Sequence, residues 1–251
     1  MKHLIYLLII VLFCACSNST TTNSCSRPQD NVPPPEPSST TIDTLTYNLP
    51  CQVISINQDK DGKALLFLWL QGGVHDSNGH NYHNHPNHWD NCDADDSIIC
   101  YLKSHNIKAI ALLPMCHKAD INSCVAWRDC YDDVSRMIKE YIDKGLVDPK
   151  RIYVAGSSDG GRGAWDYVAN HPEVFAAAIV LSCSEPRITS VPIYFFNTAA
   201  ETDCTQLVNS LKQQGSNILR YQYCSQYKHG GDAAMCDEKL LNEFFSHKRT
   251  Q

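Results

Sequence analysis

Short, uninterrupted apolar segments alternate with segments of helical periodicity along most of this chain, and few folds satisfy that order. Residues 176–181 and 193–196 lack polar alternation, as expected of strands that are covered on both faces. Val134, Ile138 and Tyr141 recur at helical spacing between other such runs. The predicted strands are residues 51–57, 64–70, 108–113, 151–155, 176–181, 193–196 and 218–223, and the predicted helices are residues 129–144, 161–170, 205–214 and 233–247. This order predicts an α/β fold with a mainly parallel sheet and helices on both of its faces.

The length and the net charge of the chain exclude some domain arrangements and some classes of function. The chain has 251 residues, enough for one well-buried domain and short for two. Its net charge of −6 lacks the basic excess that a broad nucleic-acid surface requires, so no nucleic-acid partner is expected.

The N-terminal region resembles an export signal. A short basic start is followed by an apolar run that is too short to span a bilayer, which predicts a signal peptide over residues 1–15. A small residue before Cys16 resembles a bacterial lipoprotein signal and implies a lipid anchor at Cys16, whereas plain cleavage and secretion is the alternative. Residues 16–41 are rich in Ser, Thr, Asn and Pro and predict a disordered tether before a domain over residues 42–251. We expect an extracytoplasmic protein, either secreted or anchored in the periplasm or at the cell surface.

Thirteen cysteines in a chain with an export signal predict a disulfide-braced domain. Two pairings are expected to brace loops at one edge of the sheet. Cys183 and Cys204 each follow a predicted strand, and Cys224 and Cys236 flank a short loop.

The most specific chemical signal is the sequence Gly-Ser-Ser-Asp-Gly-Gly at residues 156–161. It follows a predicted strand and precedes a predicted helix, which is the context of a nucleophile elbow. In such a turn, side chains two positions on either side of the nucleophile would collide, so glycine is needed at both. Gly156 and Gly160 have that relation to Ser158 and not to Ser157, so Ser158 is the predicted nucleophile.

An oxyanion hole requires backbone N–H groups that point at the reacting oxygen. One donor is expected from Asp159, the residue after the nucleophile. The second is expected from the Gly-Gly turn that follows the predicted strand at residues 64–70, where we assign Gly73 with its neighbour Val74 as the alternative.

A serine nucleophile needs a base that is itself oriented by an acid, and in this type of fold the chain order is Ser, acid, His. His229 lies in a glycine-flanked loop between the last strand and the last helix and is the predicted base, whereas His171 is interpreted as structural and His247 is set aside because it lies near a C-terminus expected to be flexible. Glu201 and Asp203 both follow the predicted strand at residues 193–196. Glu201 has the better register, and Asp203 is the alternative acid, although it is also placed to cap the next helix.

With these residues assembled, the chain resembles the α/β-hydrolase superfamily, in particular secreted esterases, feruloyl and acetylxylan esterases and poly(hydroxybutyrate)-depolymerase-like proteins. The resemblance is carried by residues 147–156, the elbow, and residues 171–177. It implies an eight-stranded core sheet and hydrolysis of carboxylic esters through an acyl-enzyme, with no cofactor. The roles that it implies are nucleophile for Ser158, base for His229, acid for Glu201, and oxyanion donors for Gly73 and Asp159.

Three residues depart from the family pattern. Gln71 stands where the family usually has His, Asp159 where a neutral residue is usual, and Glu201 where Asp is usual. The Asp159 carboxylate would oppose the forming oxyanion unless it turned away, for example toward Arg162. Gln71 and Asp159 motivate an alternative hypothesis, a catalytically degenerate glycan-binding surface protein on the same fold.

A histidine-rich insertion follows the predicted oxyanion turn. Five histidines fall within fourteen residues, followed by a cluster of aspartates: His75, His80, His83, His85, His88, Asp90, Asp93, Asp95 and Asp96. A solvated polar loop, a transition-metal site and a substrate rim formed with Tyr82 and Trp89 are all compatible with this composition. No metal ligand is assigned.

The leading prediction is an extracytoplasmic serine esterase whose partner is a small ester or an esterified plant polysaccharide that carries acetyl or feruloyl groups. A small serine peptidase and a metal-dependent hydrolase are further alternatives.

Overall fold

The computed structural model describes residues 40–43, 49, 51–72, 98–114, 127–225 and 238–250. Within these ranges, eight strands form one sheet in the order β1-β2-β4-β3-β5-β6-β7-β8. The strands are β1 (Thr40–Asp43), β2 (Cys51–Ile56), β3 (Ala64–Leu70), β4 (Ala109–Pro114), β5 (Val147–Ser157), β6 (Ala177–Leu181), β7 (Ile193–Thr198) and β8 (Ile218–Cys224). The helices are α1 (Cys100–Ser104), α2 (Tyr131–Asp143), α3 (Asp159–Asn170), α4 (Thr205–Gln213) and α5 (Glu238–Ser246), and a 3-10 helix (Trp127–Cys130) precedes α2.

The predicted α/β class is confirmed, but the sheet is mixed. Each strand in the run β4-β3-β5-β6-β7-β8 is parallel to its neighbours in that run. At the other edge, β2 pairs antiparallel with β4 and with β1. The connection between β2 and β3 is short, residues 57–63, and contains turns at Asn57 and Gly62, both with positive φ. A parallel connection needs a crossover of a dozen or more residues, so β2 must run opposite to β3. The mainly parallel sheet of the sequence prediction is therefore corrected at this edge.

Helices cover both faces of the sheet, as the strand composition predicted. All seven residues of β3 are buried, and they alternate between two apolar cores. Leu66 and Leu68 pack with α2, α3 and α4 on one face, and Leu65 and Phe67 pack with α1 and α5 on the other. A strand that is apolar on both faces must be central, and β3 is central between β4 and β5.

The structure has a strand, β1, at the end of the segment that the sequence predicted to be a disordered tether. β1 pairs with β2, with Thr40 opposite Ile54, and begins two residues before the predicted domain start at 42. The last two residues of the predicted 16–41 tether are therefore strand residues. The rest of that tether and the predicted signal peptide lie outside the described residues. None of the described helices has the length and apolar character needed to cross a membrane.

The sequence predicted a domain braced by disulfides. In the part of the chain that the structure describes, no disulfide joins two cysteines, so this prediction is wrong there. Cys183 and Cys204 are buried, unbonded thiols. The Asn197 amide links their loops instead. Its Oδ1 accepts from the N–H of Cys183 at 3.0 Å, and its Nδ2 lies 3.5 Å from Sγ of Cys204. Burial raises the pKa of the Cys183 thiol to about 11. Cys224 is also unbonded, and its predicted partner Cys236 lies outside the described residues.

Candidate active site

Ser158 occupies a strained turn between β5 and α3. Its backbone angles are φ 58° and ψ −120°, a conformation that non-glycine residues adopt at a cost of about 1–3 kcal/mol. The turn is held on both sides by backbone hydrogen bonds. The Ser158 N–H donates to the Leu181 carbonyl at 3.0 Å, and the Arg162 N–H donates to the Ser158 carbonyl at 3.0 Å. These bonds fix the backbone of Ser158 directly after the end of β5.

Steric crowding explains the glycines around Ser158. A Cβ on Gly156 would lie 2.2 Å from the carbonyl oxygen of Gly160, and a Cβ on Gly160 would lie 1.9 Å from the carbonyl oxygen of Leu70. Both distances are far inside van der Waals contact, and both obstacles are backbone atoms that cannot move aside. The elbow therefore closes only with glycine at these two positions.

The segment after β3 also reaches the elbow. A Cβ on Gly72 would lie 3.1 Å from Cβ of Ser158 and 2.9 Å from the carbonyl oxygen of Ser157. The backbone that leads into the predicted oxyanion turn is therefore packed against the predicted nucleophile. Gly73 itself lies outside the described residues, so its role as an oxyanion donor stays a prediction.

The Asp159 carboxylate is paired with Arg162. Oδ1 of Asp159 lies 3.4 Å from Nη1 of Arg162, and Nε of Arg162 lies 3.4 Å from Oε1 of Glu185. Asp159 is also the first residue of α3, where the positive end of the helix dipole favours negative charge. The negative charge of Asp159, next to Ser158, is thus partly neutralised by Arg162.

The two candidate acids have different environments after β7. Oε2 of Glu201 accepts hydrogen bonds from the N–H and from Oγ1 of Thr198, both at 2.8 Å, and the side chain is partly buried. Oδ1 of Asp203 accepts from the N–H of Thr205 at 2.9 Å, from its Oγ1 at 2.6 Å, and from the Tyr221 hydroxyl at 3.0 Å. Hydrogen bonds from Thr205 lower the pKa of Asp203, whose side chain is exposed. Asp203 therefore binds the first N–H of α4, although it is not the predicted cap, because Cys204 occupies the N-cap position.

Asn197 is a site residue that sequence reasoning missed. It is fully buried near the end of β7, and its Nδ2 donates to the Thr202 carbonyl at 3.1 Å. Together with its bond to the N–H of Cys183, this fixes the turn that carries Glu201 against the loop after β6. The available signal was an amide residue directly after the apolar run at residues 193–196.

Several predicted site residues lie outside the described residues, namely His229, Gly73, Tyr82 and Trp89, as does the histidine-rich insertion at residues 75–96. The other two histidines considered have structural contacts. His171 is the C-terminal cap residue of α3, and Nε2 of His247 is 2.8 Å from the Tyr194 hydroxyl, where burial lowers the pKa of His247. Among the described residues, no group of three His, Cys, Asp or Glu side chains is placed to hold a metal ion.

A buried carboxylate joins α3 to the 3-10 helix that precedes α2. Asp166 of α3 is 3% exposed and accepts two hydrogen bonds from Arg128, at 2.7 and 2.8 Å, with Nε of Arg187 at 3.1 Å. Burial by itself would raise the pKa of Asp166, but the hydrogen bond from Arg128 and the charges of Arg187 and Arg128 outweigh it, so the pKa is lowered. The stabilisation is therefore complete above the ordinary carboxyl pKa of 3.8 and declines as the pH falls below it.

We expect Asp166→Asn to lower the free energy of unfolding by about 2–3 kcal/mol, because two arginines lose their carboxylate partner. This is less than for a fully buried pair, since Arg128 is largely exposed. Urea unfolding at neutral pH measures the change. Asp143→Asn is the matched control, because Asp143 pairs with Lys139 on the exposed face of α2 and should change stability by less than about 0.5 kcal/mol. Equal effects of the two substitutions would contradict the assignment.

The strand order, the elbow after β5 and the acidic turn after β7 define an α/β-hydrolase fold. Comparison with known proteins agrees with this class. The model of the prolyl oligopeptidase family matches residues 127–184, from the 3-10 helix through the elbow to the loop after β6. No curated protein matches the chain.

Solved structures with this fold include esterases and peptidases. A thermostable esterase is 20% identical with a TM-score of 0.63, over 84% of this chain and 63% of that one. A ferulic acid esterase is 13% identical with a TM-score of 0.58, over 82% of this chain and 97% of that one. The acylaminoacyl peptidase of Pyrococcus horikoshii is 14% identical with a TM-score of 0.57, over 85% of this chain and 42% of that one. The chain thus spans less than two thirds of the first and the third, and at these identities the likeness is one of fold.

Proposed function

We propose that this protein is a serine hydrolase that cleaves carboxylic esters through an acyl-enzyme. The observation that carries the proposal is the conformation of Ser158. A non-glycine residue is held at φ 58° in a turn whose glycines leave no space for side chains, and the segment after β3 packs against it. Strain of this kind persists where the surrounding structure enforces it, and such positions cluster at catalytic sites.

The reaction follows from the chemistry of these groups. Oγ of Ser158 attacks the ester carbonyl carbon while the base, proposed to be His229, takes the hydroxyl proton. The oxyanion is stabilised by the N–H of Asp159 and by the proposed donor Gly73. The C–O bond to the alcohol then breaks, the alcohol leaves with the proton from the base, and the acyl group stays on Ser158. Water, deprotonated by the same base, attacks the acyl-enzyme and releases the acid and the free serine.

We propose Glu201 as the acid that orients the base. Its turn is fixed by Thr198 and Asn197, whereas one oxygen of Asp203 is engaged by three donors at the start of α4. The ion pair of Asp159 with Arg162 weakens one argument for a non-catalytic protein, because the positive charge of Arg162 reduces the repulsion between the Asp159 carboxylate and a developing oxyanion.

The substrate and the compartment are further parts of the proposal. Acetyl or feruloyl esters of plant polysaccharide are proposed on the family resemblance of the sequence and on the fold shared with a ferulic acid esterase. An extracytoplasmic location, with Cys16 as the lipid-bearing residue, is proposed on the basic start and apolar run of the first fifteen residues. The unbonded Cys183, Cys204 and Cys224 lend no support to this location.

The test is hydrolysis of p-nitrophenyl acetate, p-nitrophenyl butyrate and methyl ferulate by the full-length protein. We expect turnover that a chelator does not change and that a fluorophosphonate abolishes. The fluorophosphonate forms a P–O bond to the nucleophile and releases fluoride, and its adduct should map to Ser158 by mass spectrometry. Loss of turnover with chelator and recovery with added metal would overturn the serine mechanism, as would an adduct on another residue.

A peptidase is the second candidate, because the matched family model is that of the prolyl oligopeptidases. Aminoacyl p-nitroanilides belong in the same panel for this reason. Turnover of the anilides that exceeds turnover of the esters, with the same adduct on Ser158, would move the substrate class from esters to amides and keep the mechanism.

A further inference from the structure

Trp127 connects the segment after β3 to the nucleophile helix. Its indole is buried, with 2% of its surface exposed, and Nε1 donates to the Gln71 carbonyl at 3.1 Å. Gln71 immediately precedes Gly72, the residue whose backbone packs against Ser158. The indole therefore holds the backbone one residue before the contact with the nucleophile and two residues before the proposed donor Gly73.

The other side of the indole rests on α3. A Cβ on Gly163 would lie 2.7 Å from Cδ1 and Cγ of Trp127, so the ring is in contact with the helix backbone. The 3-10 helix that carries Trp127 is fastened to α3 by Arg128, which pairs with Asp166, and the first residue of α2 adds a bond from the Tyr131 hydroxyl to the Gly163 carbonyl at 2.8 Å. Trp127 is thus fixed to the same helix whose first N–H is the other proposed oxyanion donor.

The side-chain amide nitrogen of Gln71 does not help to hold this segment in place. Nε2 of Gln71 is buried without a hydrogen-bond partner. The backbone of the segment is instead held through the Gln71 carbonyl, by the buried indole of Trp127.

We infer that Trp127 is a positioning residue that holds Gln71 and Gly72, the residues before the proposed donor Gly73, against the turn that carries Ser158, an inference that rests on the proposed serine hydrolase function. The two donors come from different elements, the segment after β3 and the start of α3. Catalytic groups must be held within about 0.5 Å of their productive positions. The indole of Trp127 contacts both elements: its ring lies against α3, and its N–H binds the segment after β3. Trp127 acts through the backbone of Gln71 and is not proposed to contact the substrate.

The test is Trp127→Phe, which keeps an aromatic ring and removes the N–H donor. Trp165→Phe is the matched control, because Trp165 is also buried and its Nε1 donates to a backbone carbonyl, that of Arg187, at 2.9 Å. Both variants lose an indole hydrogen bond and ring volume, so both should lower Tm. Only Trp127→Phe is expected to lower kcat for esters, by about tenfold with KM changed less than twofold, since a displaced donor weakens binding of the oxyanion more than binding of the substrate.

A comparison of esters with matched thionoesters separates positioning from a general loss of structure. Sulfur accepts hydrogen bonds weakly, so a thionoester depends less on the oxyanion donors. The ratio of ester to thionoester turnover should fall in Trp127→Phe and stay at the wild-type value in Trp165→Phe. An unchanged ratio in both variants, or equal losses of kcat, would overturn the inference. If Trp127→Phe does not fold, 3-benzothienylalanine at position 127 preserves the fused ring without the N–H and replaces it in every arm.

Failure of the proposed function is distinguished by amide hydrogen exchange. If the wild-type protein shows neither turnover nor a fluorophosphonate adduct on Ser158, the hydrolase proposal fails. Exchange in the peptide that covers residues 70–74 then tests the role of Trp127 directly. Faster exchange in Trp127→Phe than in wild type and Trp165→Phe supports Trp127 as the anchor of this segment, and equal exchange in all three proteins overturns it.

Discussion

Ser158→Ala is expected to lower kcat/KM for ester hydrolysis by about 10⁴–10⁶-fold, because no other group replaces the attacking oxygen. The fold should be retained. Alanine at φ 58° carries the same backbone strain as serine, and the substitution removes only one atom from a partly exposed side chain. Turnover of the ester panel and thermal unfolding, measured on the same preparations, check both statements.

Ser157→Ala is the control, since it removes the same atom one position earlier. Ser157 is the last residue of β5, is 8% exposed and has ordinary strand pairing with Leu181. We expect its kcat/KM to stay within about threefold of wild type, with a small loss of Tm from the buried position. Loss of activity in Ser157→Ala with retention in Ser158→Ala would shift the elbow by one residue and contradict the glycine register.

Glu201→Gln is expected to lower kcat by about 10²–10⁴-fold. An amide keeps the acceptor oxygen for Thr198, so the turn should persist, but it carries no negative charge to stabilise the protonated base during the reaction. The measurement is kcat for p-nitrophenyl acetate. The variant should bind substrate with little change in KM, because the acid does not touch the ester.

Asp203→Asn is the matched comparison, an equal change of charge two residues later. The Asp203 carboxylate binds Thr205 at the start of α4 and the Tyr221 hydroxyl. We expect a small loss of Tm and a kcat within about threefold of wild type. The reverse order of the two effects would make Asp203 the acid and leave Glu201 as a residue that closes the turn after β7.

The α/β class and the tight turn around Ser158 could be predicted from local patterns in the sequence. Continuous apolar strands identified the α/β class, because a strand buried on both faces has no polar positions. The glycines at positions 156 and 160 identified the elbow, since the crowding that excludes a Cβ arises within one strand, one turn and one helix. The same local logic located Glu201 and Asp203 after β7.

Contacts between distant segments were decided only by the tertiary structure. The antiparallel edge, the pairing of β1 and the absence of a disulfide between Cys183 and Cys204 depend on which strands become neighbours, and no local pattern contains that information. Trp127 and Asn197 are the clearest cases. Neither belongs to a motif in the sequence, and each acquires its role from a backbone group that lies elsewhere in the chain: the Gln71 carbonyl for Trp127, and the Cys183 N–H for Asn197. The sequence predicts which residues carry the proposed chemistry, and the packing of the sheet determines which residues surround them.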